Sequence, residues 1–308
     1  MPMDGQRMTK SNLVLGKTPI KGKNRAFQKW LHSSRERILF LLFPPRCPIC
    51  DEILTPEETE KGIHLACENK LYPVKGAVCM HCGRPLGQSK IPYKKRNEYE
   101  YMEMESTYEY CRECQRRYVG NYALLRQGLP SAHNVHKLHA VSAIAQAKAL
   151  YLYKGAVKKT MYRLKYANKR EYTNFFAKQA MEYYGEWLRG MEVIVPVPMY
   201  GPKKKQRGYN QAESFAIELS KFMGIPVNKD CVVRVKDTTP QKELSDIQRK
   251  NNLENAFQKG KNIVQYSHVL VVDDIYTTGY TAEAVATELR KQGVRHIYML
   301  SICIGGNN

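Results

Sequence analysis

Apolar positions in the second half of the chain fall into blocks whose period alternates between two and about 3.6 residues. Ala147 to Tyr153 alternates residue by residue and predicts a half-buried strand, whereas Ala156 to Tyr166 and Asn174 to Leu188 have the spacing of a helix face. Val193 to Val197 is a short apolar run and predicts a buried strand. Gln211 to Met223 reads as an amphipathic helix that stops at Gly224 and Pro226. Val232 to Val235 and Val269 to Val272 predict strands, Thr281 to Gln292 a helix ended by Gly293, and His296 to Ile302 a last strand. Strands alternating with helices predict an α/β fold with a mostly parallel sheet and helices on both faces, in which ligands sit at the carboxyl ends of strands.

The first half lacks this alternation. Residues 1–38 are basic and without period, and are expected to form a tail, with a short helix starting near Phe27 and reaching Phe43. Residues 39–117 hold most of the cysteines, residues 118–144 are a weakly patterned connector, and residues 145–308 form the α/β domain. A length of 308 residues with 43% hydrophobic content fits one main domain and one smaller module. No apolar run approaches the roughly 18 residues that span a bilayer, and Ile38 to Phe43 is too short for a signal-peptide core, so the expectation is a cytoplasmic protein without membrane insertion.

Forty-nine Lys and Arg against 29 Asp and Glu give a formal net charge of +20, which favours an anionic partner, polyphosphate or nucleic acid, without choosing between them. Part of that charge lies in a run without acids: Lys154, Lys158, Lys159, Arg163, Lys165, Lys169 and Arg170. On a helix this run makes either a wet surface or a strip for single-stranded nucleic acid, with Tyr162 and Tyr166 as stacking partners.

Seven of the nine cysteines fall between Cys47 and Cys114, and six of them form Cys-x-x-Cys pairs: Cys47 with Cys50, Cys79 with Cys82, Cys111 with Cys114. Two thiolates three positions apart on a tight turn converge on one metal, and soft sulfur favours zinc. His64 and Cys67 supply a fourth knuckle, giving eight ligands and two closed tetrahedral sites. Sequential grouping (Cys47, Cys50, His64 and Cys67; then Cys79, Cys82, Cys111 and Cys114) has shorter loops than a cross-brace and is favoured. His81, inside its pair, is expected to face solvent. The 28 residues between Cys82 and Cys111 alternate tyrosine with glutamate and predict an amphipathic hairpin. Chelation is expected to unfold this module and to leave the later domain folded.

The strand Val269 to Val272 runs into Asp273, Asp274, Ile275, Tyr276, Thr277, Thr278, Gly279, Tyr280 and Thr281, then a helix. Paired carboxylates at a strand end accept hydrogen bonds from vicinal hydroxyls or help hold a hydrated Mg²⁺. A Thr-Thr-Gly turn entering a helix offers amides and hydroxyls to a phosphate. Upstream, the loop after Pro196-Val197-Pro198 offers amides to a pyrophosphate, and Lys203, Lys204, Lys205 and Arg207 bring charge. The loop Thr238 to Leu244 is expected to act as a mobile cover, with Arg234 and Arg249 beside it.

The string from Asp273 to Thr281 resembles the phosphoribosyl pyrophosphate signature of type I phosphoribosyltransferases. In that resemblance Asp273 and Asp274 face the ribose hydroxyls, while Thr277, Thr278, Gly279 and Thr281 enclose the 5-phosphate; Tyr280 departs from the small residue usual there. Val195 to Pro198, Arg207-Gly208-Tyr209-Asn210-Gln211, Arg234, Thr238-x-Pro240-Gln241-x-x-Leu244 and Arg249-x-x-Asn252, with the amino-terminal knuckles behind Leu42-Phe43-Pro44-Pro45, resemble the ComF family from about Leu39 to Ile304. The chain departs from that family at His64, where cysteine is usual, and in the insertion after Cys82.

The resemblance implies a type I phosphoribosyltransferase-like α/β fold behind a small double zinc ribbon. It also implies two structural Zn²⁺ sites, Mg²⁺ accompanying the pyrophosphate ligand, and Arg207, Arg234 and Arg249 as the residues that stabilise the departing anion. Three functions stay open: phosphoribosyl transfer to an acceptor, ligand binding without turnover in support of DNA uptake, and a zinc-ribbon nucleic-acid module on a repurposed fold. Partners expected on this basis are phosphoribosyl pyrophosphate, single-stranded DNA, and a second copy of the chain or the DNA-uptake machinery.

Overall fold

The computed structural model describes residues 42–86, 89–95, 98–104, 110–114, 142–237, 253, 255–261 and 265–305. The basic tail, most of the 118–144 connector, the Thr238–Leu244 loop, Arg249 and Asn252 lie outside these residues. From Arg46 onward the chain packs as one compact unit.

Thr55 starts the first helix among the described residues, α1 (Pro56–Lys61), through a capping box with Glu58, and Gly62 in the left-handed region ends it. After the single turn α2 (Leu65–Glu68), the insertion forms the antiparallel hairpin β1 (Ser89–Lys95) and β2 (Glu98–Met104), with Tyr93 opposite Glu100. A short turn, α3 (Arg112–Cys114), closes the cysteine region.

The α/β body then runs β3 (Gln146–Leu152), α4 (Gly155–Tyr166), α5 (Tyr172–Leu188), β4 (Val193–Pro196), α6 (Gly201–Arg207) and α7 (Gln211–Met223). It continues through β5 (Val232–Arg234), β6 (Phe257–Lys259), β7 (His268–Tyr276), α8 (Tyr280–Lys291) and β8 (His296–Ile304). The main sheet is parallel throughout, in the order β3-β8-β7-β4. Its central strands β7 and β8 are apolar on both faces, as covered parallel strands are. Val157, Met161 and Leu164 of α4, Phe175 and Phe176 of α5, and Phe215 and Leu219 of α7 cover one face; Val285 and Leu289 of α8 cover the other.

Three expectations change. Val232 to Arg234 does not join the parallel sheet but pairs antiparallel with β6 in a separate ribbon. The lysine run after Pro198 is a helix, α6, with Pro202 in its first turn and Gly208 as a left-handed cap, and not a loop. Strand β7 also continues through both acids to Tyr276, because their backbone stays paired with Ser301 to Ile304 of β8.

The cysteine region is built into the body. Segment 72–74 lies along the outer edge of β3: Val74 N–H donates to Leu150 O at 2.9 Å and Leu152 N–H to Tyr72 O at 2.8 Å. Cys47, Ile49, Leu54 and Ile63 pack with α4 and α5 on one face, and Cys79, Cys82 and Cys114 on the other, so the two knuckle groups straddle the edge strand. Thr160 donates to Pro48 O at 2.5 Å and Arg163 to Ile49 O at 3.0 Å. Burying side chains such as Leu54 and Ile63 stabilises by about 1.5–3 kcal/mol each. The ribbon thus shares its core with the body.

Candidate metal centres and anion cleft

Each cysteine pair sits on a tight turn. Cys47 O accepts from Asp51 N–H and Cys79 O from Gly83 N–H, both at 2.9 Å, and Asp51 and Gly83 take matching left-handed conformations, φ +71° and +70°. At Gly83 a Cβ would come within 2.5 Å of Ala147 O, so the turn needs glycine. Asp51 carries a side chain there, accepting from the Tyr172 hydroxyl and from Lys169 at 2.9 Å. Burial alone would raise the Asp51 carboxyl, but Tyr172 and Lys169 outweigh it and hold it below the usual carboxylate range.

The ligand atoms of Cys47, Cys50, His64 and Cys67 lie within 4.8 Å of one another, as do those of Cys79, Cys82, Cys111 and Cys114, in the sequential grouping. A tetrahedral zinc with bonds of about 2.3 Å sets sulfurs roughly 3.8 Å apart. Cys82 and Cys111 sulfurs are 3.6 Å apart, and His64 Nδ1 is 3.2 Å from Cys50 Sγ, so both donor sets fit the ion. His64 Nε2 lies 3.1 Å from Ile53 O; a proton there donates to the carbonyl and leaves Nδ1 to the metal. We expect about two zinc ions per chain by elemental analysis, and about one in a Cys50→Ser, His64→Ala variant. An unchanged ratio in that variant removes His64 and its group as ligands.

His81 does not face solvent: it is only 1% exposed. Its carbonyl accepts from Ala147 N–H at 2.6 Å and its Nε2 lies 3.5 Å from Ser142 Oγ. The second knuckle rests on the start of β3, so a residue between its cysteines points into the body.

At the carboxyl ends of β4 and β7 a cavity of about 190 Å³ opens. Its wall includes Lys165, Pro198, Met199, Arg207, Asn210, Arg234, Asp273, Asp274 and Thr281. Asn210 caps α7 by accepting from Ala212 N–H, and donates to Val197 O at 2.9 Å, which ties the helix start to the end of β4. Arg207, at the end of α6, donates to Gln211 Oε1 at 3.0 Å and stacks over Tyr166 at 5.2 Å. Arg234 lies 5.5 Å from the Phe257 ring centroid, and burial lowers its pKa.

The two acids differ. Asp274 is 8% exposed and forms a 2.8 Å ion pair with Lys165 of α4. Burial alone would depress Lys165, yet Asp274, with help from Asp273, raises its pKa. Asp273 accepts from Asp274 N–H at 2.8 Å, and burial, then the neighbouring Asp274 carboxylate, push it well above the usual carboxylate range. The folded chain therefore holds this proton more tightly than the unfolded one, and the group lowers stability as pH rises from the ordinary carboxylate range toward the raised value.

Thr277, Thr278 and Gly279 form the turn into α8, with Gly279 at φ +82° as its cap; none of the three lines the cavity, whose wall is reached by Thr281 just after them. Arg249 lies outside the described residues. Lys203 is paired with Asp237 and Lys204 with Glu213, both at 2.5 Å, so α6 brings less free charge than its sequence implies.

The basic strip is similarly divided. Arg163 is spent on the first knuckle's backbone, Lys165 on Asp274 and Lys169 on Asp51, because α4 is wedged between ribbon and cleft. Tyr162 and Tyr166 stay 64% and 65% exposed, their ring centroids 4.9 Å apart. Lys165 is the cleft residue that sequence reasoning placed elsewhere; nothing local marks it, since its partner is over a hundred positions away.

Residues 38–115 match the Double zinc ribbon domain family. Over 112 residues, 36% of this chain and 49% of the relative, the sequence is 43% identical to Competence protein F of Haemophilus influenzae. It is 23% identical to Competence protein ComFC of Bacillus subtilis over 80% of this chain and 89% of that one. DNA utilization protein YhgH of Salmonella typhi is 34% identical over 36% of this chain and 48% of its own length. The chain thus spans about half the length of the first of these relatives. A purine phosphoribosyltransferase from Pyrococcus horikoshii superposes on 42% of the chain, and on 73% of its own, at 21% identity and a TM-score of 0.27.

The parallel sheet with helices on both faces, the acid pair and Thr-Thr-Gly turn at the end of β7, and the ribbon in front define an α/β protein with a zinc-binding double ribbon. The chain is thus similar to these competence and DNA-utilization proteins, and its residues 38–115 to a double zinc ribbon.

Proposed function

We propose that the cleft binds phosphoribosyl pyrophosphate with Mg²⁺ and that the protein transfers the phosphoribosyl group to an acceptor, releasing pyrophosphate, in support of DNA uptake. The observation that carries this reading is the convergence of Asp273, Asp274, Arg207, Arg234, Lys165 and Thr281 on one cavity at the strand ends. Its volume of about 190 Å³ is below the ~300–1,000 Å³ that encloses a whole drug-sized ligand, so it suits the ribose-phosphate part of a longer anion.

Phosphoribosyl transfer breaks the bond from the anomeric carbon to the pyrophosphate oxygen, which leaves with the electron pair, while the acceptor's lone pair forms the new bond. The carboxylates of Asp273 and Asp274 accept from the ribose hydroxyls. The Thr277 to Thr281 turn holds the 5-phosphate by its amides and hydroxyls, with the α8 dipole behind it. Arg207 and Arg234 neutralise the departing pyrophosphate, the role that the sequence also assigns to Arg249 outside the described residues. Magnesium, when bound, supplies charge compensation on the pyrophosphate.

A second reading, ligand binding without turnover combined with nucleic-acid contacts, is favoured by the exposed Tyr162–Tyr166 pair, against which Arg207 of the cleft is stacked. It agrees with the names of the relatives, which concern competence and DNA utilization. Nine cysteines without a disulfide among them suit a reducing, cytoplasmic setting. Among the described residues no helix is long and apolar enough to cross a membrane.

Incubating the protein with phosphoribosyl pyrophosphate, Mg²⁺ and a panel of bases and amines separates the readings. Pyrophosphate release supports transfer, binding without release supports the second reading, and the absence of both overturns the cleft reading.

Because ribose hydroxyls donate to ionised Asp273, ligand affinity should rise with pH through its raised pKa. The ligand's own phosphate also titrates, with a pKa of about 6. The informative quantity is therefore the difference between wild type and Asp273→Asn in calorimetric titrations from pH 5 to 8. Parallel pH profiles for the two proteins would take Asp273 out of the hydroxyl contact.

A further inference from the structure

The second metal centre reaches the phosphate turn by one side chain. Arg84 lies two positions after the ligand Cys82, and its carbonyl accepts from Cys79 N–H at 2.8 Å, which fixes its backbone to the knuckle. Its guanidinium spans to the other module and donates from Nη2 to Thr277 O at 2.8 Å. Thr277 opens the Thr-Thr-Gly turn. In a planar trans peptide the carbonyl oxygen and the next N–H point to opposite sides, so a carbonyl held toward Arg84 sets the Thr278 N–H on the far side.

The other end of the turn is held from the same direction. Glu283, in the first turn of α8, accepts from Ser142 Oγ at 2.9 Å and from Ala143 N–H at 2.5 Å. Ser142 Oγ lies 3.5 Å from Nε2 of His81, the residue between Cys79 and Cys82. The knuckle itself rests on β3 without slack, since Gly83 has no room for a Cβ against Ala147 O.

We propose that Arg84 is a positioning residue which transmits the geometry of the Cys79, Cys82, Cys111 and Cys114 centre to the anion-binding turn. Metal at that centre and anion at the turn then stabilise one another. The idea rests on the proposed phosphate role of the turn for its ligand half, but not for its structural half. By linkage the coupling is reciprocal: a bound phosphate group slows loss of metal from the second centre, and the first centre, on the opposite face of β3, does not respond.

Arg84→Met keeps most of the side chain's length and apolar stem while removing the donor; Arg84→Lys restores one donor without the fork. The full-length, zinc-loaded proteins are compared by amide hydrogen exchange without ligand, by calorimetric titration with phosphoribosyl pyrophosphate and Mg²⁺, and by zinc release to a colorimetric chelator. In R84M, with zinc content and melting temperature near wild type, exchange should rise in the peptide covering 277–283 and stay unchanged in β8. R84K should fall between the two. Ligand binding should weaken by about tenfold, the scale of one charge-assisted hydrogen bond. The ligand should slow release of one of the two zinc ions in wild type and of neither in R84M.

Unchanged exchange at 277–283 in R84M overturns the positioning role whatever the ligand does. Raised exchange with no ligand binding even in wild type would keep the structural link and remove the phosphate reading of the cleft. If R84M does not retain two zinc ions, Arg84→Ala carries the comparison, and wild-type exchange at 277–283 in that variant would sink the idea.

Discussion

Stripping zinc with a strong chelator should unfold the described body as a whole, in one transition, and not the ribbon alone. Structural zinc contributes on the order of 10 kcal/mol or more per site, which matches or exceeds the roughly 5–15 kcal/mol by which a typical domain is stable. The loss cannot stay local, because Leu54, Ile63 and Cys47 are core residues of the α4 and α5 face, and Cys79 and Cys82 belong to the α8 face. Sequence spacing alone pointed to an autonomous module. Scanning calorimetry before and after chelation decides between them: a single lost peak is expected, whereas a surviving body transition at the original temperature would show that the ribbon is an appendage.

Asp274→Asn should cost far more stability than Asp273→Asn, although the two acids are adjacent and chemically identical. The difference is Lys165. Removing the Asp274 charge leaves a mostly buried ammonium uncompensated, at a cost of about 3 kcal/mol, the lower end of the range for such losses because the Lys165 side chain is still 25% exposed. For a body of this size that is roughly a 10 °C drop in melting temperature. Lys165→Met in the Asp274→Asn background should recover most of it, since replacing a whole buried pair by apolar groups is close to neutral. Lys165 has its pKa raised in the fold, so its stabilisation is complete below the ordinary lysine value and disappears only as pH climbs through the raised one. Because the Asp274 carboxylate also helps raise the Asp273 pKa, its removal relieves part of that penalty, and the deficit of Asp274→Asn should shrink as pH rises through the Asp273 titration. Asp273→Asn should melt near wild type while weakening ligand binding at least tenfold. Equal melting of the two single variants would mean that the Lys165 pair stabilises nothing.

What could be read from the chain followed the range of the interactions involved. Helix α7 was legible because its apolar face and the Gly224 stop are both local, and the parallel core strands because their apolar runs need no knowledge of their neighbours. The sequential grouping of cysteines was legible for the same reason. Helix α6 was missed although Pro202 and Gly208 bracket it, since four basic residues in seven looked like a solvated loop. Strand β5 was assigned to the wrong sheet because its partner β6 lies beyond a long intervening segment. The burial of His81, the pairing of Lys165 with Asp274 and the reach of Arg84 to Thr277 all join positions dozens to hundreds of residues apart, and residue type alone does not encode them.

Segment 72–74 has one further meaning. A parallel sheet must end somewhere, and an outermost strand offers its unpaired amides and carbonyls to any extended chain that drifts past. Here that outermost strand is β3, and the residues bonded to Leu150 and Leu152 are held in place between the two metal centres, one on each side of the sheet. The ribbon therefore covers the sheet's outer edge, and the zinc ions that hold the body together also keep β3 from pairing with a second chain.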